Sequence, residues 1–193
     1  MRCIVQALKT VGRWPQRLGN EGVSLIELVA AVAVLAILVG VATPNFLTMM
    51  RRSQVDAASR QLLTDVRLAR SLAIAQGWEY KIFGFNAGAA SPFANQYRFL
   101  ARANNTIDWT AFEVAAPFQN ATQIAGPWFN MNNEYPGARI NLGDVSPRFW
   151  VAFNSRGVRI ELDPSFNPLR IRDDGGAVTR QLTVSLPGVV TVQ

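Results

Sequence analysis

The sequence has no histidine and one cysteine, and these two shortages exclude more functions than any single motif adds. Without histidine there is no Ser-His-Asp or Cys-His nucleophilic catalysis and no imidazole-ligated metal. A lone thiol, Cys3, builds neither a disulfide framework nor a thiolate metal centre. Carboxylate-only chemistry would need clustered acids, but the acids are scattered, and Asp173-Asp174 stands directly before Gly175-Gly176, a turn signal. The expectation is a protein that is not an enzyme and holds no cofactor or metal. Charge of one sign is also thinner than it first looks. The formal charge is +6, and half of it comes from Arg2, Lys9, Arg13 and Arg17 against Glu21 at the N-terminus. What is left beyond Gly22 is a weak footprint for nucleic acid. A length of 193 residues fits one domain with one modest core.

A long hydrophobic run is present. From Leu28 to Met50 there is no charged residue; as a helix this stretch is roughly 35 Å long, enough to span a bilayer core. A basic segment before an apolar run also describes a cleaved secretory signal, whose apolar region is usually ~7–15 residues and ends at a small-residue site. Here the run is longer and passes without a loop into more helical pattern, so a permanent anchor fits better. The basic flank places the N-terminus on the cytoplasmic side and the bulk of the chain outside. Pro44 sits inside the pattern, where it removes a backbone donor and predicts a kink near Gly40 to Pro44. One acid, Glu27, stands at the head of the run. An ionisable residue in a membrane segment is costly, and its presence points to function; the alternative is that it snorkels to the interface.

These residues carry a resemblance. "GVSLIE" at Gly22 to Glu27, the apolar run and "TPNF" at Thr43 to Phe46 resemble the type III signal of type IV pilins and type II secretion pseudopilins. The resemblance implies that residues 1–22 are a leader removed by a prepilin peptidase after Gly22, and that Val23 becomes a methylated N-terminus, Val23 standing where phenylalanine is usual. It implies that residues 23–50 form the transmembrane helix and 51–193 a periplasmic domain, with helix over 51–76 and sheet over 78–193. Glu27 would then neutralise the new α-amine of a neighbouring subunit, because either charge left unpaired in apolar surroundings costs several kcal/mol. Glu27 and Pro44 are thus candidate assembly residues. The implied partners are the peptidase, other pseudopilins or pilins, an inner-membrane assembly platform and membrane lipid.

Beyond Pro44, Val55, Leu62, Val66, Ala69 and Ala73 recur at helical spacing with Arg60, Asp65, Arg67 and Arg70 elsewhere around the helix, which Gly77 should cap. The expected face of those arginines is solvent. "WEYKIFGF" and "QYRFLA" read as paired strands, "TAFEVA" as a third, and "RFWVAFNSRGVRIEL" as a hairpin turning at Asn154 to Gly157 with Val158, Ile160 and Leu162 on one face. "LRIRDDGG" and "RQLTVSLPGVVTV" follow, the second placing Leu182, Val184 and Leu186 inward; an antiparallel sheet with one buried face is the consistent picture. The Pro-, Gly- and Asn-rich stretch from Pro117 to Pro147 reads as a long irregular segment whose Phe118, Trp128, Phe129 and Tyr135 cover the domain's own core. "LARSLAIAQG", "VAFNSRG" and "LTVSLPGVVTV" are similar to the GspH/FimT family of minor pseudopilins and minor pilins. The fold implied is α+β and pilin-like, a long N-terminal helix packed on antiparallel β-sheet. Two roles follow from the resemblance: a subunit of the periplasmic pseudopilus in type II secretion, or a minor pilin of a type IV pilus that captures DNA. For the second, Arg156, Arg159, Arg170, Arg172 and Arg180 are the candidate contacts along one face.

Overall fold

The computed structural model describes residues 23–103, 107–141, 146–162 and 168–193, with Leu162 described by its backbone alone. Two compact units divide the chain, Met1–Thr43 and Pro44–Gln193. Helix α1 (Leu25–Gln76) contributes to both. In the first unit its residues from Leu25 to Thr43 are all exposed. The helix is long and apolar enough to cross a membrane.

In the second unit α1 becomes amphipathic. Val55, Ala58, Leu62, Val66, Ala69 and Ala73 are fully buried on one side, the three-and-four spacing of a core-facing stripe. The helix stops where predicted: Gly77 takes a φ of 72° and donates its N–H to the Ala73 carbonyl, the left-handed cap that glycine adopts without a Cβ penalty.

The strands follow in chain order as β1 (Glu79–Phe85), β2 (Gln96–Arg102), β3 (Phe118–Gln119), β4 (Gln123–Ala125) and β5 (Phe129–Asn130), a one-turn helix α2 (Met131–Glu134), then β6 (Ala138–Asn141), β7 (Arg148–Phe153), β8 (Arg159–Leu162), β9 (Leu169–Asp173), β10 (Thr179–Val184) and β11 (Val190–Val192). They form two antiparallel sheets rather than one. The larger has the order β3-β4-β2-β1-β7-β8 with β5 alongside β2, and the smaller the order β11-β10-β9-β6. The architecture is α+β, with a long N-terminal helix and antiparallel sheets.

The predicted hairpins form. β1 pairs with β2 from Glu79↔Arg102 to Gly84↔Tyr97, β7 turns into β8, and β9 pairs with β10. Two expectations fail among these elements. Thr110 to Ala115 is not a strand but a 3-10 turn (Trp109–Ala111) and the bend after it: the Asp108 carboxylate accepts the Thr110 N–H, and Trp109 and Phe112, three apart, both turn inward. That hydrogen bond also holds the Asp108 carboxyl below its usual pKa. Leu186 is exposed because β10 ends at Val184 and the Ser185–Gly188 turn carries it out.

The larger sheet is buried on both faces. One face meets the α1 stripe through Tyr80, Ile82, Tyr97, Phe149, Val151 and Phe153, in a core shared with Ile140, Ile171, Leu182 and Val184 of the smaller sheet. The other carries Phe83, Phe85, Leu100 and Ala152, covered by Trp109 and Phe112 of the 3-10 turn and its bend and by Phe118 and Trp128 of the stretch from Pro117 to Pro147, which is not irregular throughout as expected but holds β3 to β6 and α2. Phe93 and Trp128 stack there with ring centroids 4.3 Å apart. Phe129 and Tyr135 pack on the first core instead.

Candidate functional site

Helix α1 opens at Leu25, with the Ser24 carbonyl accepting the N–H groups of Glu27 and Leu28. Glu27 therefore lies in the first turn, where the unsatisfied N–H groups of the helix favour a carboxylate. Its side chain is exposed, and no ion pair joins it to any described residue. Val23 is exposed just before the helix; Gly22, after which cleavage is expected, and the leader 1–22 lie outside the described residues. Pro44 lies within α1. It has no N–H to offer the Gly40 carbonyl, and two threonines bond to backbone on either side: Thr43 Oγ1 to the Val39 carbonyl at 2.6 Å and Thr48 Oγ1 to the Pro44 carbonyl at 3.0 Å.

The five candidate arginines do not share a face. Arg170 and Arg172 project from β9 on the solvent side of the smaller sheet, alternating with buried Leu169, Ile171 and Asp173, and Arg172 is in register with Arg139. Arg180 lies on the side of β10 that carries Leu182 and Val184 and pairs with Asp56 of α1 at 2.6 Å. Arg159 donates to the Val184 carbonyl, and Arg156 is exposed in the turn after β7. The reason is the strand period of two: Arg180, in register with Ile171, must point opposite to Arg170 and Arg172.

Of the helix arginines, Arg60 and Arg67 are exposed as expected and Arg70 is half-buried, and two of the three also reach backbone carbonyls of the domain. Arg67 donates to the Val190 carbonyl at 3.3 Å, and Arg70 Nε to the Gly157 carbonyl at 2.9 Å. The Gly157 and Gly188 turns converge on Arg70 so closely that a Cβ on Gly157 would lie 2.6 Å from Ile74 Cδ1, and one on Gly188 2.7 Å from the Gly157 carbonyl. Asp65 is not on a polar face at all. It is buried and accepts a 2.5 Å hydrogen bond from the Tyr97 hydroxyl. Burial first, then Asp65, pushes the Tyr97 phenol far above its usual pKa.

Sequence reasoning missed two polar clusters. On the outer face of the larger sheet, Lys81 is buried with Nζ 2.7 Å from Glu113 and 5.2 Å from the Trp150 ring centre. Beside it Arg98 donates to the carbonyls of Gly126 and Ala115 and lies over Trp128, and Arg102 pairs with Glu79 and lies over Trp109. Burial lowers the Arg98 pKa. These cations hold the covering stretch onto the sheet. The second cluster centres on buried Asn95, at a φ of 60°: its Oδ1 accepts the Ile140 N–H at 2.8 Å and its Nδ2 donates to Asn132 and to the Ala138 carbonyl. It stitches the β1–β2 connection to β6 of the other sheet. Asn tolerates the left-handed region better than most residues, the one cue the sequence offered.

No protein-family model matches the chain, and no curated protein matches it. Among solved structures it is similar to the minor pseudopilin EpsH from the type 2 secretion system of Vibrio cholerae, at 16% identity and a TM-score of 0.40, over 72% of this chain and 96% of that one.

Proposed function

We propose that this chain is a minor pseudopilin, a structural subunit inserted in the inner membrane through α1, processed after Gly22, methylated on Val23 and assembled by helix packing into the pseudopilus of a type II secretion system. The observation that carries the reading is Glu27. It is the one charge on the helix between Leu25 and Met50, it is exposed, and no described residue pairs with it. A carboxylate in that position gains a partner when the amine of a processed neighbour enters the same apolar layer. The rest of the domain presents a surface for neighbouring subunits and performs no catalysis. Mass spectrometry of the protein from its native membrane tests this: the expected N-terminus is methylated Val23, and an intact Met1 overturns it.

A second reading, a minor pilin that captures DNA, has one favouring observation: Arg139, Arg170 and Arg172 stand together on the solvent side of the smaller sheet. A gel shift that weakens with salt supports it, each phosphate contact adding salt dependence; no shift at low salt removes it.

A further inference from the structure

The smaller sheet ends at β11, and the ladder fixes which way its polar groups point. Gln181 and Gln193 exchange both backbone hydrogen bonds at 2.9 Å. In an antiparallel ladder bonded and non-bonded pairs alternate, so at the next pair, Leu182↔Val192, the N–H and C=O of Val192 point away from β10. Val190 obeys the same phase, and its outward carbonyl is the one that Arg67 reaches. Val192 has no such partner among the described residues.

This open edge borders a groove of about 520 Å³ between β11 and α1, lined by Asp56, Ser59, Arg60, Leu63, Arg67 and Val192 among others. A second hollow of about 400 Å³ continues it along the helix past Asp56 and Arg60 to Arg52 and Met49. The charge of this track is one-sided. Among the lining side chains Asp56 is the single acid and is taken up by Arg180, whereas Arg52 and Arg60 are exposed and make no ion pair with a described residue.

We propose that the groove is a docking site for an extended, acidic peptide segment of another protein, which adds as a strand to β11 and sets its carboxylates against Arg60 and Arg52. An unpaired strand edge is a template for a further strand. A phosphodiester backbone meets the arginines equally well but carries no N–H for the Val192 carbonyl, which favours peptide over nucleic acid. The inference stands on these residues and does not depend on the secretion reading.

The test uses the full chain in detergent micelles and a blocked, fluorescent octapeptide alternating valine and glutamate, with its lysine twin and a duplex oligonucleotide as controls. The glutamate peptide is expected to bind saturably and to slow amide exchange at Val192. Arg60→Glu should weaken it about two- to fivefold, the range of an exposed charge pair. Val192→Pro, which removes the outward donor from an edge strand that tolerates proline, should weaken it at least tenfold if its thermal melt matches the parent; if the melt does not, Arg60→Glu decides. Equal binding of the lysine twin, tighter binding of the oligonucleotide, no effect of Arg60→Glu, or no saturable binding overturns the proposal.

Discussion

The two faces of the larger sheet are closed by different kinds of chain. On one, α1 lays down a periodic stripe from Val55 to Ala73 over Ile82, Tyr97 and Val151, and the contact is almost wholly apolar. On the other, a stretch of turns, loops and two short strands from Ile107 to Trp128 lays Trp109, Phe112, Phe118 and Trp128 over Phe83 and Leu100, tied by Lys81, Arg98 and Arg102. A helix satisfies its own backbone and needs only to bury its stripe. An irregular segment leaves carbonyls without partners, and buried carbonyls must find donors. Arg98 and Arg102 supply them for Ala115, Gly126 and Ile107. Cations inside the second core are the consequence of covering a sheet with loop.

The comparison can be broken by truncating each cover. Leu62→Ala should cost about 2–5 kcal/mol by leaving a cavity in the helix core, read as a loss of the whole cooperative transition in urea. Lys81→Ala strands a buried carboxylate on Glu113 and should cost about 3 kcal/mol, but with amide exchange rising first around Trp109 to Gly126. Removing Glu113 as well should recover part of the loss. Uniform exchange across both faces would show that the two covers are one unit. Asn95→Ala should cost about 2 kcal/mol, since it leaves the Ile140 N–H and Ala138 carbonyl without their buried partner; unchanged stability would sink the view of Asn95 as the stitch between sheets.

Tyr97→Phe should cost about 1–2 kcal/mol from the bond to Asp65. It should also alter the alkaline limb of stability. The folded pKa of Tyr97 is raised, so its contribution is intact below the ordinary tyrosine value of about 10 and is lost as pH rises past it. The variant's stability should fall less steeply there, with Tyr80, also raised by burial, keeping a residual slope. The smallest effect on folding belongs to Glu27→Ala: no change in the domain's melt or in membrane insertion, but loss of cross-linking between subunits in the native membrane. A variant that assembles normally leaves Glu27 with only an interfacial role.

Periodic elements were legible and everything held by distant side chains was not. The α1 stripe, the Gly77 cap and the hairpin turn at Asn154 to Gly157 follow from local spacing. β1 hides its alternation because both its faces are buried, so nothing local marks Lys81 as a buried cation. Asp65 departs from its expected polar face for another reason: its buried position becomes favourable only when Tyr97, more than thirty residues on, arrives to donate. Thr110 to Ala115 mimics a strand because Phe112 and Val114 stand two apart on either side of Glu113, but the Asp108 cap bends the chain first. Of the candidate site, Glu27 was legible as an isolated charge. The split of the arginines needed the sheet register.

The junction at Arg70 has a mechanical consequence. From its Pro44–Gln76 portion, α1 grips β11 through Arg67, the turn after β7 through Arg70 and β10 through Asp56, two anchorages on strands of the smaller sheet and one on a hairpin turn of the larger. A pull on this portion is therefore divided among three anchorages instead of falling on one. No single hydrogen bond between helix and sheets would meet the whole load.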